Sequence, residues 1–241
     1  MDGNDSSPLA DEQTPVACVW EEWSLAAGEW LSDRPPVLWG RCLVIEGETS
    51  IGKTSYVLDH LAQQAPVLLL VPTVSQVQQI ALTHAGHALS AVHGRSQPES
   101  LARTIVATYD QLGAITAALG AACADYLLVV DEIHKLYQAG SYRPKALQGI
   151  LDAIDRLGQP QGFRRVIGLS ATLQPDLLDF AVAQWIVVRK PQSVVRQVVI
   201  VEYKDLELWV ETLLHQGWLP PDGLNVLLRT ENSPVLTCSA R

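Results

Sequence analysis

The sequence has little positive charge and no long apolar segment. Its 241 residues include 17 Lys and Arg against 26 Asp and Glu, a formal net charge of -9. We therefore do not expect a protein that coats nucleic acid through bulk charge, although a locally basic groove remains compatible with these numbers. No apolar run approaches 18 residues, and the acidic N-terminus lacks the basic and apolar segments of a signal peptide. We accordingly expect neither a membrane partner nor a leader.

Cysteines are also few and widely spaced. The chain has four, at Cys18, Cys42, Cys123 and Cys238, and none belongs to a C-x-x-C pair. This spacing favours neither a cysteine zinc site nor a disulfide framework. Buried, reduced thiols in a cytoplasmic protein are the expectation.

The acidic charge is concentrated at the N-terminus. Residues 1–37 hold 8 acids and 1 base, a net of -7, which leaves a net of -2 for the rest of the chain. Residues 1–15 are polar enough to predict disorder. In the following segment, Trp20, Trp23 and Trp30 are spaced by three and seven, which predicts a packing helix from Val16 to Leu31. An aromatic platform for bases is the alternative.

From residue 38, short apolar runs alternate with helical patterns. Strands buried on both faces and separated by helices predict an α/β domain with a parallel sheet. The predicted strands are Arg41–Glu46, Val67–Val71, Thr104–Ala107, Tyr126–Val130, Arg165–Leu169 and Trp185–Val188. The predicted helices begin after the first strand and run through His60, then over Ser75–His84, Tyr109 to about Ala122, and Lys145–Leu157. Further along we predict a basic connector at Arg189–Arg196, strands at Val198–Glu202 and Leu224–Leu228, and a helix at Leu206–His215.

The strongest motif is Gly47-Glu48-Thr49-Ser50-Ile51-Gly52-Lys53-Thr54, which fits the phosphate-loop pattern G-x-x-x-x-G-K-[ST]. It follows a predicted strand and opens a predicted helix, as a phosphate loop requires. Glycines allow the backbone to approach a triphosphate, and amides at the start of the helix point at the phosphates. Lys53 would reach the β- and γ-phosphates, and Thr54 would bind Mg²⁺. A glycine-rich turn with a solvated lysine is the simpler alternative.

A second motif, Asp131-Glu132-Ile133-His134, follows the buried run Tyr126–Val130. Ligands of such sheets bind at the carboxyl ends of the parallel strands. Asp131 is therefore placed to hold Mg²⁺, and Glu132 to orient or deprotonate the attacking water. A polar turn before the next helix is the alternative, and the phosphate loop upstream favours the functional interpretation.

A third motif, Ser170-Ala171-Thr172, also lies just past a predicted strand. Its hydroxyl groups could hydrogen-bond to the Asp131–His134 turn from a neighbouring strand and relay the state of the phosphate. Taken alone, these residues would be interpreted as a helix cap. The order and spacing of the three motifs favour the relay.

Together these segments resemble motifs I, II and III of superfamily 2 helicases of the DEAD/DEAH-box (DExH) type. Val71-Pro72-Thr73 is similar to motif Ia, and Thr104–Leu112 resembles the segment before motif II that touches the nucleic-acid backbone. The resemblance covers about residues 38–190. It implies a P-loop NTPase fold of the RecA-like kind, with ATP and Mg²⁺ as cofactors and single-stranded DNA or RNA crossing the top of the sheet.

The resemblance also implies a role for each matching residue. Glu132, Asp131 and Lys53 would be catalytic, with Thr54 and Asp131 holding the metal. The nucleotide would be bound by Gly47, Glu48, Thr49, Ser50, Ile51, Gly52, Lys53, Thr54 and Ser55. Hydrolysis would be coupled to strand movement through His134, Ser170 and Thr172. Nucleic acid would lie along Pro72, Thr73 and Thr108; for Thr73 and Thr108 a cap or turn role is an equal alternative.

Motifs V and VI of such helicases, including the arginines that reach the γ-phosphate, are not found in this sequence. We therefore expect three regions: an acidic N-terminal segment at 1–37, an ATP-binding domain at 38–190, and at 191–241 a linker with the start of an incomplete second RecA-like domain. A second lobe in cis or trans would be needed for full activity, and the chain alone would hydrolyse ATP slowly. The aromatic adenine contact of DEAD-box proteins is not identifiable upstream.

The predicted function is that of a helicase ATP-binding lobe. Two alternatives remain open. One is a one-lobed module that binds ATP and unwinds nothing, and the other is a phosphate-loop NTPase of another class, which would not need the second and third motifs together.

Overall fold

The computed structural model describes residues 18–35, 37–94, 102–138, 143–173 and 175–190, together with the backbone of two strands at 225–228 and 236–239. The predicted disorder at 1–15, the strand at 198–202 and the helix at 206–215 lie outside the described residues. The chain divides into two compact units, Met1–Ser193 and Val194–Arg241.

The first unit is built on one eight-stranded parallel sheet with the order β1-β8-β2-β7-β6-β3-β5-β4. This confirms the predicted α/β class. The strands are β1 (Val19–Ser24), β2 (Cys42–Gly47), β3 (Val67–Val71), β4 (Leu89–Val92), β5 (Thr104–Thr108), β6 (Leu127–Val130), β7 (Arg165–Ser170) and β8 (Gln184–Arg189). Of these, β4 was not expected from the sequence, because its Leu89–Val92 run is only partly buried.

Helices cover both faces of the sheet. They are α1 (Lys53–Tyr56), continued by a π-helical turn (Val57–Leu61) and α2 (Ala62–Gln64), then α3 (Val74–Thr83), α4 (Leu112–Leu119), α5 (Ile133–Gln138) and α6 (Pro144–Asp155). Short 3₁₀ turns occur at Leu31–Asp33, Tyr109–Gln111, Gly120–Asp125 and Pro175–Leu177. Among the described residues, no helix is long and apolar enough to cross a bilayer.

The side chains of alternate strand residues pack into two separate apolar cores, one on each face of the sheet. On one face, Val44 and Leu128 pack with residues of α4, α5 and α6. On the other face, Leu43 and Val129 pack with residues of α1, the π-helical turn and α3. Because these strands are buried on both faces, their sequences are continuous apolar runs.

The predicted helix at Val16–Leu31 is wrong, because Val19–Ser24 forms the edge strand β1, paired in parallel with β8. Residues three apart lie on opposite faces of a strand. Trp20 stacks on Trp185 of one core, with ring centroids 4.7 Å apart, and Trp23 packs against the other core. The spacing that suggested a helical face therefore serves both faces of the sheet.

Polar contacts hold the edge strand in place. The fully buried Gln184 side chain of β8 donates to Glu21 at 2.8 Å and accepts from the Trp39 backbone N–H at 3.0 Å. The Trp39 indole also donates to Glu21, at 3.1 Å. These hydrogen bonds hold the pKa of the Glu21 carboxyl below its usual value.

Three of the four cysteines fall in the described part of the chain, and all three are free thiols. Cys42 and Cys123 are buried, and burial raises the pKa of Cys42 to about 12. Both thiols therefore resist ionisation and attack by reagents.

In the second unit, β9 (Asn225–Leu228) pairs antiparallel with β10 (Leu236–Ser239). The first of these strands was predicted at Leu224–Leu228. The second was not, because Leu236–Ser239 carries only a short apolar pattern.

Candidate nucleotide-binding site

The phosphate-loop sequence forms a tight turn between β2 and α1. Gly52 immediately precedes α1 with φ +90°, a left-handed conformation that L-residues with a side chain rarely adopt. A Cβ atom at Gly47 would collide with the Ile51 side chain and approach Val188 Cβ to 3.2 Å. Both glycines are therefore required by the local geometry of the loop.

The lysine of the phosphate loop is buried. Lys53 is 8% exposed, and its Nζ donates to the backbone carbonyls of Gly47 at 2.7 Å and Glu48 at 2.9 Å. Burial lowers the pKa of Lys53, while the charges of Glu132 and Asp131 act in the opposite direction. The ammonium group is thus held between the loop and an acidic pair.

The acidic pair lies just beyond the C-terminal end of β6. The Asp131 backbone N–H donates to Leu70 O at 2.9 Å, and the Asp131 carboxylate accepts from the Glu132 N–H at 3.1 Å. Glu132 has a positive φ of 51°. The Tyr109 hydroxyl donates to the backbone carbonyls of both acids. The turn that carries the two carboxylates is therefore held by Leu70 and Tyr109 from outside and by one hydrogen bond of its own.

Burial, followed by the charge of Glu132, raises the pKa of Asp131 to about 6. A carboxyl group with this environment is costly to ionise without a cation. The nearby Lys53 ammonium lowers that cost only in part.

The third motif meets the second through one imidazole. His134 Nδ1 lies 2.9 Å from Ser170 Oγ on β7 and 3.3 Å from Glu132 Oε2. Ser170 is fully buried, and its Oγ also accepts from the Thr172 N–H at 3.2 Å. Burial lowers the pKa of His134. The contact therefore links Glu132 to the end of β7 through His134.

These elements surround a cleft of about 510 Å³, within the usual size range of small-molecule sites. Eight of the sequence-predicted residues line it: Thr49, Ser50, Gly52, Lys53, Thr54, Ser55, Asp131 and Glu132. Gly47, Glu48 and Ile51 instead shape the loop. His134, Ser170 and Thr172 lie behind Glu132 rather than in the cleft wall.

Two further cleft residues, Trp30 and Ser32, come from the N-terminal segment. The Leu31 N–H donates to Ile51 O at 2.8 Å, which fixes this segment on the phosphate loop. Lys190 Nζ lies 4.0 Å from the centroid of the Trp30 ring. The sequence predicts that Trp30 lies on a packing helix. Residues 19–24 instead pair with β8, and a local sequence pattern does not show a contact between residues so far apart in the chain.

The family comparison agrees with this geometry. The sequence pattern of the family described as DEAD/DEAH box helicase matches residues 34–180, more than half of the chain. The chain belongs to the DEAD/DEAH box helicase family. The predicted RecA-like, P-loop NTPase fold is thereby confirmed, and the site described above falls within the matched residues except for Trp30, Leu31, Ser32 and Lys190.

The structure of S. tokodaii Xpd4 is similar to this chain at 26% sequence identity, with a TM-score of 0.34. That match covers 48% of this chain and 28% of the other, so the chain spans less than a third of that relative. No curated protein matches the sequence.

In this member of the DEAD/DEAH box family, the residues expected along nucleic acid lie at the ends of two paired strands, β3 and β5. Thr73 is exposed and caps α3, accepting from the Gln76 N–H at 3.3 Å. Thr108 is buried, so its side chain faces the interior. The Pro72 carbonyl accepts from Arg143 at 3.0 Å, a contact that sequence reasoning missed.

Proposed function

We propose that this chain is the ATP-binding lobe of a superfamily 2 helicase, which couples Mg-ATP hydrolysis to movement along single-stranded DNA or RNA. The observation that carries the proposal is the convergence of Lys53, Asp131 and Glu132 on one cleft at the carboxyl ends of β2 and β6. A cation and two carboxylates around a phosphate loop match the needs of phosphoryl transfer.

The phosphate loop would bind the nucleotide through backbone N–H groups at the start of α1. In this structure the Lys53 ammonium donates to carbonyls of the loop. The same group would donate to β- and γ-phosphate oxygens when nucleotide is bound. Its burial strengthens any such contact, because charges interact more strongly where water is excluded.

The donor set fits Mg²⁺. Thr54 and Asp131 both line the cleft and offer a hydroxyl and a carboxylate oxygen, the ligand type that Mg²⁺ prefers. The raised pKa of Asp131 reflects a buried carboxylate that a cation would stabilise in its charged form. Bound Mg²⁺ would supply charge neutralisation at the phosphates.

Glu132 is the residue we assign to the attacking water. Its carboxylate lines the cleft and is only partly buried, and its turn is fixed by the Tyr109 hydroxyl. A carboxylate held in this way can orient a water and accept its proton.

Coupling to nucleic acid would pass through His134 and Ser170. The imidazole Nδ1 contacts both Glu132 and Ser170, so a change at the γ-phosphate can reach the end of β7. Nucleic acid would lie over the ends of β3 and β5, near Pro72 and Thr73. A second RecA-like lobe, in cis or in trans, would complete the site and supply the arginines that this unit lacks among its cleft-lining residues.

The first experiment measures binding of a fluorescent ATP analogue to the 241-residue chain with Mg²⁺ present. We expect saturable binding that Lys53→Ala weakens strongly, whereas Lys145→Ala, at the start of the distant α6, leaves it unchanged. Equal binding by Lys53→Ala would refute the phosphate-loop assignment.

The second experiment measures ATP turnover with and without single-stranded DNA or RNA. Slow turnover that rises with nucleic acid supports the helicase proposal. Tight nucleotide binding with no turnover under either condition supports a one-lobed binding module instead.

A further inference from the structure

Three metal-binding side chains meet on the face of the sheet that carries α1 and α3. Asp59 lies in the π-helical turn Val57–Leu61, and His84 and His87 lie in the turn that follows α3. One donor atom from each of the three side chains lies within 4.8 Å of the other two. His87 Nε2 is 3.1 Å from the Asp59 carboxylate.

Local backbone geometry sets the two histidines side by side. The His84 N–H donates to Ile80 O at 2.9 Å and ends α3, and the His87 N–H donates back to His84 O at 2.9 Å. This closes a turn over His84-Ala85-Gly86-His87. The two imidazole rings then meet edge to face, with centroids 5.7 Å apart.

The third side chain is brought in by core packing. Leu58 and Leu61 of the π-helical turn belong to the same apolar core as Val77 and Ile80 of α3. Buried contacts therefore fix the π-helical turn that carries Asp59 relative to α3, which ends at His84. π-Helical turns inside helices are frequent at functional positions, because the extra residue redirects the side chains that follow.

The ligand set selects a class of ion. Two imidazoles and one carboxylate suit Zn²⁺ and similar transition metals, whereas Mg²⁺ prefers oxygen ligands alone. Zinc binds such atoms at about 2.0–2.2 Å, which places neighbouring ligands roughly 3.3 Å apart. The His87–Asp59 pair already has nearly this separation, and a His84 ring nitrogen lies within 4.8 Å of both.

The cluster is also open to solvent. The Asp59 side chain is 43% exposed and that of His87 is 25% exposed, so an ion can enter without unfolding the protein. Three protein ligands leave a fourth position for water.

We infer that Asp59, His84 and His87 form a binding site for a divalent transition-metal ion of the Zn²⁺ class. The ion would join the helix that starts at the phosphate loop to the end of α3. Because none of these three residues lines the cleft, this inference does not depend on the proposed helicase function.

The test is a calorimetric titration of the full chain with Zn²⁺ alone, free of nucleotide and Mg²⁺. We expect one site whose affinity falls by about tenfold or more in Asp59→Asn, and which is lost in the double variant His84→Gln/His87→Gln. His93→Gln serves as the matched control and retains the site. Zn²⁺ should also raise the Tm of the wild-type chain and not that of the double variant.

Co²⁺ as a spectroscopic probe identifies the ligands independently. We expect d–d bands of a nitrogen and oxygen site, without the charge-transfer band of a thiolate. Circular dichroism of the metal-free variants provides the folding control, and the nearly isosteric Asp59→Asn tests the site if the double variant is unfolded.

Several results would overturn the inference. Unchanged Zn²⁺ affinity in Asp59→Asn and the double variant would show that His87 and Asp59 form only an ion pair. A thiolate band would assign the ion to a cysteine, and loss of binding in Asp131→Asn alone would assign it to the nucleotide cleft.

Discussion

His134 Nδ1 lies 2.9 Å from Ser170 Oγ, and this contact joins the first turn of α5 to the last residue of β7. The same nitrogen lies 3.3 Å from Glu132. One imidazole therefore stands between the carboxylate assigned to water and the neighbouring strand.

The first prediction concerns this contact. Ser170→Ala removes the hydroxyl group and should leave ATP affinity within about twofold, because Ser170 does not line the cleft. Turnover stimulated by nucleic acid should fall by roughly two- to tenfold, since one hydrogen bond contributes about 0.5–1.5 kcal/mol.

A double-mutant cycle with His134→Ala separates coupling from simple structural damage. The two changes should be strongly non-additive, whereas Ser24→Ala on exposed β1 should have no effect. Additive losses would argue against a relay through these two residues.

A second prediction concerns Glu132. Glu132→Gln keeps the size of the side chain but removes its negative charge, so nucleotide binding should remain nearly intact. Turnover should fall by about a hundredfold or more, as for loss of a general base. Steady-state ATPase and equilibrium binding assays measure the two quantities, with the exposed Glu22→Gln as control. A variant that retains wild-type turnover would remove Glu132 from the mechanism.

A third prediction concerns Trp30. Because its ring lines the cleft next to the phosphate loop, we expect a bound adenine to pack against it. Trp30→Ala should weaken ATP binding by roughly three- to tenfold, since an aromatic pair contributes about 0.5–1.5 kcal/mol. Trp30→Phe should recover part of the loss. Leu82→Ala, at a highly exposed position of α3 outside the cleft, is the control, and equal effects of the two alanine variants would disprove a base contact.

A fourth prediction follows from the pKa of Asp131, which burial and Glu132 raise to about 6. Between about pH 4 and pH 6 the folded state binds more protons than the unfolded state, so rising pH destabilises the fold at this residue. Asp131→Asn removes that cost. In EDTA and without nucleotide, the variant should be more stable than the wild type at pH 8, on the order of 3 kcal/mol.

The stability difference should shrink as the pH is lowered through 6 towards 4, because the wild-type carboxyl becomes neutral. Urea unfolding at pH 8 and at pH 5 measures it. Asp125→Asn, at an exposed position, should show no such difference. A pH-independent gain in Asp131→Asn would mean that the charge of Asp131 is not its cause.

A fifth prediction separates two roles of Thr73. Its hydroxyl caps α3, and Gln76 returns a hydrogen bond through its side chain. Thr73→Ala should destabilise the fold by about 1 kcal/mol in urea unfolding, and Thr73→Ser by much less. If Thr73 also contacts nucleic acid, Thr73→Ala will weaken binding of single strands at temperatures where the variant is fully folded. Unchanged affinity would restrict Thr73 to the cap.

Most of the central sheet could be predicted from the sequence. The predicted bounds of the Val67–Val71 strand agree with the structure, and those of the neighbouring strands differ by one or two residues. These strands are buried on both faces, so their apolar runs are unambiguous. The edge strands β1 and β4 were missed because each is partly exposed and its pattern is mixed.

The candidate site likewise has features that the sequence predicts and others that it does not. Motif spacing placed Lys53, Asp131 and Glu132 at strand ends, and the structure brings them into one cleft. The burial of Thr108, the hydrogen bond from Arg143 to Pro72 and the approach of Trp30 depend on residues far apart in the chain. No local pattern encodes such contacts.

By itself, the sequence determined the alternation of strands and helices, the phosphate loop and the acidic pair, because each depends on a short stretch of residue types. Only the tertiary structure decided that residues 19–24 form a strand and that Trp30 reaches the cleft. It also decided that His134 contacts Ser170, since these contacts arise from the order of strands in the sheet. That order is set by the packing of two apolar cores, a property of the whole chain and not of any one segment.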